Sequence, residues 1–362
     1  VPESCEGTSE GNAQGAARVG AEKGCTNMTQ KILIDAGRSR SGWSRIGTFY
    51  KCPQLFAYQN RLDLQLIPAS ALTRGSMGHV MQAHQHAIWG CQQGGVLVDD
   101  YYLEDETQLL GPEESVEEWV RVNGEGEEHI PRMKETFRRY LATYPEPPGK
   151  VVAVEYPITA VLGMKDGLWS LWVVHPDDAG YHPKATKIKA IDGGIIQPTP
   201  LNCVGHPNHG NAIELTRRLD LVTEDRSGRV YVWDHKHQAR VEPNKSVDGY
   251  AIDGGFAAFR IMGRQVWPDN FGGVALNLIQ TTDPWRVARP MVPMTPHRDA
   301  HFSEMLWRAE HALARLDIDE KNHWAWPKAQ HETTCVGRYG ACAGIKLCFY
   351  GESSVEAKHI KP

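Results

Sequence analysis

The fold is decided by one stretch of the chain, which reads Arg218-Leu219-Asp220-Leu221-Val222, then Thr223-Glu224-Asp225-Arg226-Ser227-Gly228, and ends in Val232-Trp233-Asp234-His235-Lys236. Apolar runs flank a segment of turn-forming residues, which predicts two β-strands joined by a tight turn. Because side chains alternate along a strand, Asp234 and Lys236 face one side and His235 faces the other. The pattern therefore predicts that Asp220, Asp234 and Lys236 converge.

Two carboxylates and a lysine at one point match the needs of metal-assisted phosphodiester hydrolysis. Carboxylates are hard oxygen ligands for Mg²⁺ or Mn²⁺, and the backbone carbonyl of His235 offers another oxygen. A lysine cation suits the attacking water or the developing charge on phosphorus. An acidic residue followed by Asp-X-Lys also occurs as an ordinary surface ion pair, which is the alternative interpretation.

Two residues upstream strengthen the hydrolytic interpretation. His79 closes the segment Gly75-Ser76-Met77-Gly78-His79, near the start of a helix predicted over residues 76–89. Glu155 ends an apolar strand that begins at Val151. Each could bring a ligand to the same place, although a boundary histidine and a solvated glutamate are the plain alternatives.

Four of the eight cysteines form a second constellation. Cys335, Cys342 and Cys348 lie in a glycine-containing segment near the C-terminus, and Cys52 lies far upstream in Lys51-Cys52-Pro53. Such a set can wrap a metal centre and tie the two ends of a domain together. The spacing leaves an iron–sulfur cluster, a tetrahedral zinc site and free thiols all open.

A local zinc site between residues 176 and 210 is a further alternative. Cys203, His206 and His209 fall close together there. The surrounding Pro, Asn and Gly residues suit an ordinary loop, and no fourth ligand is evident.

Composition limits the class of protein. With 362 residues, 41% of them hydrophobic, the chain can bury a large core. The formal charge of −5 argues against a protein that coats nucleic acid, although acids crowd between Asp99 and Glu128 and leave room for a basic groove elsewhere. No apolar run reaches the roughly 18 residues that span a bilayer, so we expect a cytosolic protein without a membrane partner.

The order of predicted elements indicates an α/β fold. Helical periodicity dominates the first half, where it predicts a helix over residues 44–61. Strands come next, with residues 168–174 expected to pair with the segment that follows them, and helical spacing returns over residues 247–262 and near the C-terminus. The predicted organisation is a flexible tail at 1–28 and one domain at 29–362, made of a helical part at 29–148, a sheet core at 150–290 with an insertion at 176–210, and a C-terminal helix with the cysteine segment at 300–350.

Taken in order, these motifs resemble the RecB-like nucleases of the PD-(D/E)XK superfamily, which include phage exonucleases and CRISPR-adaptation nucleases with an iron–sulfur cluster. The resemblance runs from about Ser44 to Cys348. Its pieces are the first cysteine in Ser44-Arg45-Ile46-Gly47-Thr48-Phe49-Tyr50-Lys51-Cys52-Pro53, the helical His79, Glu155, the two strand motifs, and Trp326-Pro327 followed by the cysteine triplet.

The resemblance implies a restriction-endonuclease-like mixed sheet flanked by helices, with its N- and C-terminal segments joined by a [4Fe–4S] cluster. It implies a Mg²⁺- or Mn²⁺-dependent deoxyribonuclease, most often an exonuclease of DNA processing, recombination or repair in a bacterium or a phage-infected host. By resemblance, Asp220 and Asp234 bind the metal with His79, Lys236 assists the nucleophile, and Glu155 completes the catalytic set. Cys52, Cys335, Cys342 and Cys348 would hold the cluster.

One position departs from that family. A glutamine, and a tyrosine four residues later, usually stand on the helix after the catalytic lysine, whereas this chain has Gly255 and Phe259. Either Gln265 or Arg260 is then expected to compensate. The alternative is a catalytically weakened protein that binds DNA ends or a helicase or recombinase partner.

DNA is the partner that this chemistry requires. A nuclease holds a polyanionic backbone in a basic channel, which gives salt-sensitive binding without base specificity. The candidates for lining that channel are Arg217, Arg218, Arg240 and Lys245.

Overall fold

The computed structural model describes residues 31–34, 42–62, 64–66, 70–99, 101–165, 168–174, 187–329, 335–337, 340–342, 344–350 and 360–361. The predicted tail at 1–28 lies outside these residues. Residues Lys31–Pro362 form one compact unit.

The described helices carry most of the N-terminal third and cover the sheet. They are α1 (Trp43–Lys51), α2 (Pro53–Asn60), α3 (Ser70–Gln92), α4 (Pro112–Asn123), α5 (Ile130–Thr143), α6 (Pro243–Ala251), α7 (Gly254–Val266), α8 (Pro296–Asp319) and α9 (Ile345–Tyr350). Short 3₁₀ turns lie at Glu106–Gln108, Glu127–His129 and His323–Ala325. Among the helices described, none has the length and apolar character needed to cross a membrane.

The strands are mostly gathered into one sheet. They are β1 (Gln65–Leu66), β2 (Val96–Val98), β3 (Tyr101–Leu103), β4 (Lys150–Lys165), β5 (Leu168–Val173), β6 (Ile188–Lys189), β7 (Ile195–Ile196), β8 (Glu214–Glu224), β9 (Val230–Gln238), β10 (Phe271–Gln280), β11 (Val287–Ala288), β12 (Met291–Val292), β13 (Val336–Gly337), β14 (Gly340–Ala341) and β15 (Ile360–Lys361). Over the described residues the main sheet has the order β11-β10-β9-β8-β4-β2-β3, with β12 on β10 and β5 on β4.

The sheet is mixed, as expected. The predicted hairpin is confirmed: β8 and β9 are antiparallel and joined by a turn in which Gly228 adopts a φ of 81°. Strands β9 and β10 are parallel, with α6 and α7 forming the crossover that a parallel connection needs. The α/β sheet flanked by helices is therefore the fold that the motifs predicted.

Each face of the sheet carries its own hydrophobic cluster. One face packs on α7 and α8 through residues such as Val232, Phe256 and Phe302. The other packs on α3 through Ala83, Ala87 and Trp233. The site-bearing strands therefore lie between α3 and α7.

Two predicted helices are each divided in the structure. The helix expected over 44–61 breaks at Cys52, which is extended (φ −163°), because Pro53 cannot continue a preceding helix and instead starts α2. The helix expected over 247–262 becomes α6 and α7, and the Asp253 carboxylate caps α7 by accepting a hydrogen bond from the Gly255 amide at 2.7 Å. The strand expected from Leu168 pairs with the preceding β4 rather than with the segment after it.

His84 joins α3 to two neighbouring segments by backbone hydrogen bonds. Its Nε2 accepts from the Ile34 amide at 2.9 Å, and its Nδ1 lies 3.0 Å from the Leu110 carbonyl oxygen. A neutral imidazole protonated on Nδ1 satisfies both contacts, whereas a doubly protonated ring loses the acceptor. Burial lowers the pKa of His84 to about 4, although the Leu110 carbonyl opposes this.

We predict that this histidine makes the protein less stable in acid. An unfolded histidine binds a proton below about pH 6.5, whereas folded His84 stays neutral down to about 4, so the unfolded state gains protons as pH falls between these values. His84→Gln should therefore reduce the slope of unfolding free energy against pH by up to about 1.4 kcal/mol per pH unit. Urea unfolding between pH 7.5 and pH 5 measures this, and an unchanged slope would contradict the prediction.

Candidate active site

The site lies where the central strands part. The β8/β9 ladder runs from Glu224↔Val230 to Leu221↔Trp233 and stops short of Asp220 and Asp234. In the β4/β8 ladder, Val154 pairs with Leu221 and Tyr156 with Leu219, but Glu155 and Asp220 between them are skipped.

Glu155 accounts for this interruption. It is buried and has a φ of 51°, in the left-handed region that residues with a side chain rarely adopt. Such a conformation costs about 1–3 kcal/mol and is retained where the surroundings impose it, frequently at functional sites. The left-handed turn reorients the strand at the point where carboxylates gather.

His79, Glu155 and Asp220 form the group best suited to a cation. One ligand atom from each lies within 4.8 Å of the others. Among the described residues, no other set of three histidine, cysteine or acidic side chains comes this close together. Ligands about 2.1 Å from a shared ion lie roughly 3–4 Å apart, so small adjustments suffice to bind one. Two carboxylates and one imidazole fit Mg²⁺ or Mn²⁺.

Asp220 is the best-anchored of the three. Its Oδ2 accepts a hydrogen bond from the His235 amide at 2.7 Å and lies 3.4 Å from His79 Nδ1. Burial raises the pKa of Asp220, and the neighbouring Asp234 carboxylate adds to this, whereas His79, Lys236 and the His235 amide oppose it. A cation would favour the ionised form.

Asp234 and Lys236 share one side of β9, as alternation predicts, and form an ion pair through Asp234 Oδ2. Burial opposes the charge of Lys236, but the carboxylates of Asp234 and Asp220 raise its pKa above the ordinary value. The lysine side chain lies 5.8 Å from the ring centre of Tyr250 and 5.9 Å from that of Phe256. Lys236 is therefore held as a cation, not as a base.

Arg218, predicted to contact DNA, is engaged with the site itself. Its Nε donates to the Glu155 carbonyl oxygen at 3.1 Å and lies 3.4 Å from Glu155 Oε2, and its Nη2 lies 3.2 Å from Asp99 Oδ2. Arg218 thus holds the left-handed residue by both its backbone and its carboxylate.

The other predicted DNA contacts are scattered. Arg240 is 80% exposed and pairs with Glu242 at 2.9 Å. Lys245 lies in α6, and its side chain is outside the described residues. Arg217 lies on β8 with its guanidinium 4.0 Å above the ring centre of Phe259.

Neither residue expected to compensate for Gly255 reaches the site. Arg260 is fully buried and pairs with Asp299, its Nη2 lying 2.7 Å from Oδ1. Gln265 bonds the β5 backbone at Leu171 and Val173. A Cβ on Gly255 would lie 2.8 Å from Asp253 Oδ1 and 3.1 Å from Trp43, so the helix cap and this indole occupy the space beside the glycine, with Arg217 Nη2 at 3.4 Å.

A buried polar layer behind β9 was not predicted. His235 stacks on His86 with ring centres 4.9 Å apart, and its Nδ1 lies 3.2 Å from Asn277 Nδ2, which also donates to Tyr140 Oη at 3.0 Å. These contacts hold the residue whose amide binds Asp220. Nothing in the local sequence distinguishes His86 from an ordinary helical residue.

The four predicted cluster cysteines come from both ends of the domain. Cys52 lies between α1 and α2, Cys335 and Cys342 are joined by a backbone hydrogen bond of 2.7 Å, and Cys348 lies in α9 with Sγ 3.8 Å from Tyr58 Oη. Burial raises the pKa of the Cys342 thiol, and the thiols of Cys52 and Cys348 add to this. Cys52 is therefore close enough to interact electrostatically with the C-terminal thiols.

The alternative zinc ligands do not converge among the described residues. Cys203 Sγ lies 3.8 Å from the His311 carbonyl oxygen, and His206 Nε2 lies 3.4 Å from Asp317 Oδ2. Asp317 is also bound by both Nε and Nη2 of Arg61 at 2.7 Å. The local contacts are those of a largely buried ion-pair network around Asp317.

The position of His79 depends on a close approach between α3 and β9, which yields a prediction. A Cβ on Gly78 would lie 2.3 Å from His237 Nε2, whereas a Cβ on Gly75 would meet nothing within 4 Å. Gly78→Ala should push α3 away, destabilise the protein by about 1–3 kcal/mol and weaken metal binding. Gly75→Ala, the matched control on the same helix, should stabilise it by about 0.5–1 kcal/mol.

Denaturant unfolding and Mn²⁺ titration calorimetry measure both effects. Equal behaviour of the two alanine variants would show that the close approach has no role.

Comparison with known proteins agrees with this geometry. The sequence model described as the PD-(D/E)XK nuclease superfamily matches residues 42–343, which is more than half of the chain and includes His79, Glu155, Asp220, Asp234 and Lys236. No curated protein matches the chain significantly. A mixed sheet flanked by helices, with acidic residues and a lysine gathered where its central strands part, is thus found within the matched region, and the chain belongs to the PD-(D/E)XK nuclease superfamily.

Proposed function

We propose that this nuclease is a metal-dependent DNA exonuclease of the RecB-like kind, acting in DNA processing, recombination or repair in the cytosol of a bacterium or a phage-infected host. The observation that carries the proposal is the grouping of His79, Glu155 and Asp220 ligand atoms within 4.8 Å. Lys236 and Asp234 stand beside that group.

A divalent cation in this group would supply Lewis-acid stabilisation of the phosphate and a lower pKa for a coordinated water. Mn²⁺ and Mg²⁺ both accept carboxylates, and the imidazole of His79 favours the transition metal. The His235 carbonyl is proposed as a further oxygen ligand, and Asp234 as a ligand once its pairing with Lys236 relaxes.

The residues of the chain then have distinct tasks. Asp220 is oriented by the His235 amide, and Glu155 by Arg218. Lys236, kept protonated by Asp234 and Asp220, is placed to orient the attacking water and to offset charge on the phosphate. This division favours catalysis over a role limited to binding DNA ends.

The remainder of the chain would support the same activity. Residues 29–362 would form one nuclease domain, and Arg240 and Lys245 would contact the DNA backbone outside the reacting centre. A helicase or recombinase would deliver DNA ends to the site.

The test is cleavage of DNA of defined form in Mn²⁺ or Mg²⁺. Linear DNA should be degraded and covalently closed circles left intact, because an exonuclease needs an end. Asp234→Ala and Lys236→Ala should each lower the rate about 10²-fold or more, since each removes charge from the reacting centre. Gel assays with end-labelled linear DNA measure this.

The matched controls are Asp269→Ala and Lys321→Ala, which remove exposed residues of the same types. These should cleave at the parental rate. Parental activity in the Asp234 and Lys236 variants would refute the assignment of the site, and cutting of closed circles would refute the exonuclease.

We also propose that Cys52, Cys335, Cys342 and Cys348 hold a [4Fe–4S] cluster with a structural role. The electrostatic interaction of the Cys342 thiol with those of Cys52 and Cys348 supports a shared centre. The choice of an iron–sulfur cluster over a tetrahedral zinc ion rests on the resemblance to the RecB-like nucleases.

Anaerobically purified protein should therefore be brown, with a broad absorbance band at ~400 nm. Cys342→Ser should lose the band and part of the stability, because it removes a ligand from a clasp that closes a very long loop. Cys91→Ser, which changes a buried thiol outside the set, should keep the band. A colourless protein loaded with zinc would contradict the iron–sulfur proposal.

A further inference from the structure

Arg217 occupies an unusual position for a strand arginine. It lies on β8 opposite Ile158 of β4, and its guanidinium stacks 4.0 Å above the ring centre of Phe259 on α7. Its Nη2 lies 3.4 Å from where a Cβ on Gly255 would stand. That distance is an ordinary van der Waals contact, so the guanidinium lies directly beside α7 at this glycine.

The faces of the strands explain how Arg217 reaches this side of the sheet. Leu219 packs in the cluster against α7 and α8, whereas Leu221, two residues later, packs in the cluster against α3. Regular alternation would put both on one face. β8 therefore changes its packing faces between Leu219 and Leu221, at the point opposite the left-handed Glu155. Arg217 precedes this change, so its side chain lies on the same face as Leu219, toward Phe259 of α7.

Arg217 lacks a carboxylate partner within the described part of the chain. Among the described residues it forms no ion pair within 4.0 Å, and its buried Nε has no hydrogen-bond partner. Arg218 and Arg260, on the neighbouring elements, are both ion-paired. Burial lowers the pKa of Arg217, while the carboxylates of Asp234, Asp220 and Asp253 oppose the shift.

A half-buried guanidinium whose Nε is buried without a hydrogen bond is costly unless a ligand uses it. Stacking on Phe259 fixes the plane of the guanidinium, and its planar set of donors matches the oxygens of a phosphate. A cation held by His79, Glu155 and Asp220 would bring a phosphate close to Asp220 and Asp234. These are carboxylates that interact electrostatically with Arg217. A phosphate oxygen would therefore be the partner that the Arg217 guanidinium lacks among the described residues.

We propose that Arg217 is a catalytic residue that contacts a DNA phosphate at the cleaved bond, as a second cation beside Lys236, with Phe259 as its positioning platform. This inference rests on the proposed nuclease function and specifies how the site binds the reacting phosphate with a glycine at position 255, where the resemblance implies a glutamine.

The experiment separates phosphate contact from structural support. Binding of duplex DNA is measured in EDTA at several salt concentrations for the parent, Arg217→Ala, Arg217→Gln and Arg217→Lys. Losing one phosphate contact should reduce the slope of log K against log[salt] by about 0.9 in the alanine and glutamine variants. Arg217→Lys should keep the parental slope because it keeps the charge.

Cleavage in Mn²⁺ provides the second readout. Arg217→Ala and Arg217→Gln should lose about 10²-fold in kcat, and Arg217→Lys should lose less, since it keeps the charge but not the planar donor set. Arg308→Ala is the matched control, because Arg308 is exposed and paired with Glu304. It should match the parent in both assays.

The outcomes are distinct. If Arg217→Ala does not fold, as judged by its thermal unfolding, Arg217→Gln decides, since it keeps a polar group and the first part of the aliphatic stem. Reduced kcat with an unchanged salt slope would show a structural residue and overturn the inference. A parent that binds DNA but cleaves none would overturn the proposed function, while a reduced slope in the variants would still support the phosphate contact.

Discussion

The structure depends on crowding three carboxylates, Glu155, Asp220 and Asp234, into a partly buried space where the central strands β4, β8 and β9 part. Burial raises the pKa of Asp220, and the like charge of Asp234 adds to this. The chain offsets this with cations on several elements: Lys236 pairs with Asp234, and Arg218 lies against Glu155. The remaining negative charge is what makes the place suitable for a divalent cation.

The left-handed backbone at Glu155 connects that electrostatic arrangement to the fold. Where the ladder skips Glu155 and Asp220, the packing faces of β4 and β8 exchange, with Val154 and Leu221 against α3 and Tyr156 and Leu219 against α7 and α8. Side chains from both faces can therefore meet at one point. His79 comes from the α3 side, while Lys236 and Arg217 lie toward α7.

More distant packing holds this meeting point in place. Gly78 lets α3 approach His237, and the stack of His86 on His235 fixes the strand whose amide orients Asp220. At the edge of the domain, the break at Cys52 and Pro53 turns the chain so that this thiol interacts with those of Cys342 and Cys348. Each of these local contacts or backbone breaks determines where a site side chain lies: His79, Asp220 and Cys52, respectively.

The sequence by itself determined the hairpin, because turn residues between two apolar runs leave little choice, and alternation then placed Asp234 and Lys236 together. The sequence also determined the mixed α/β class, and the order of its motifs indicated the PD-(D/E)XK superfamily. Only the tertiary structure decided which face Arg217 occupies, since the exchange of faces depends on one left-handed residue 62 positions upstream that local periodicity cannot reveal. The tertiary structure also decided that Arg218 pairs with Glu155 and Arg260 with Asp299, because an arginine pairs with the carboxylate that the fold places within reach.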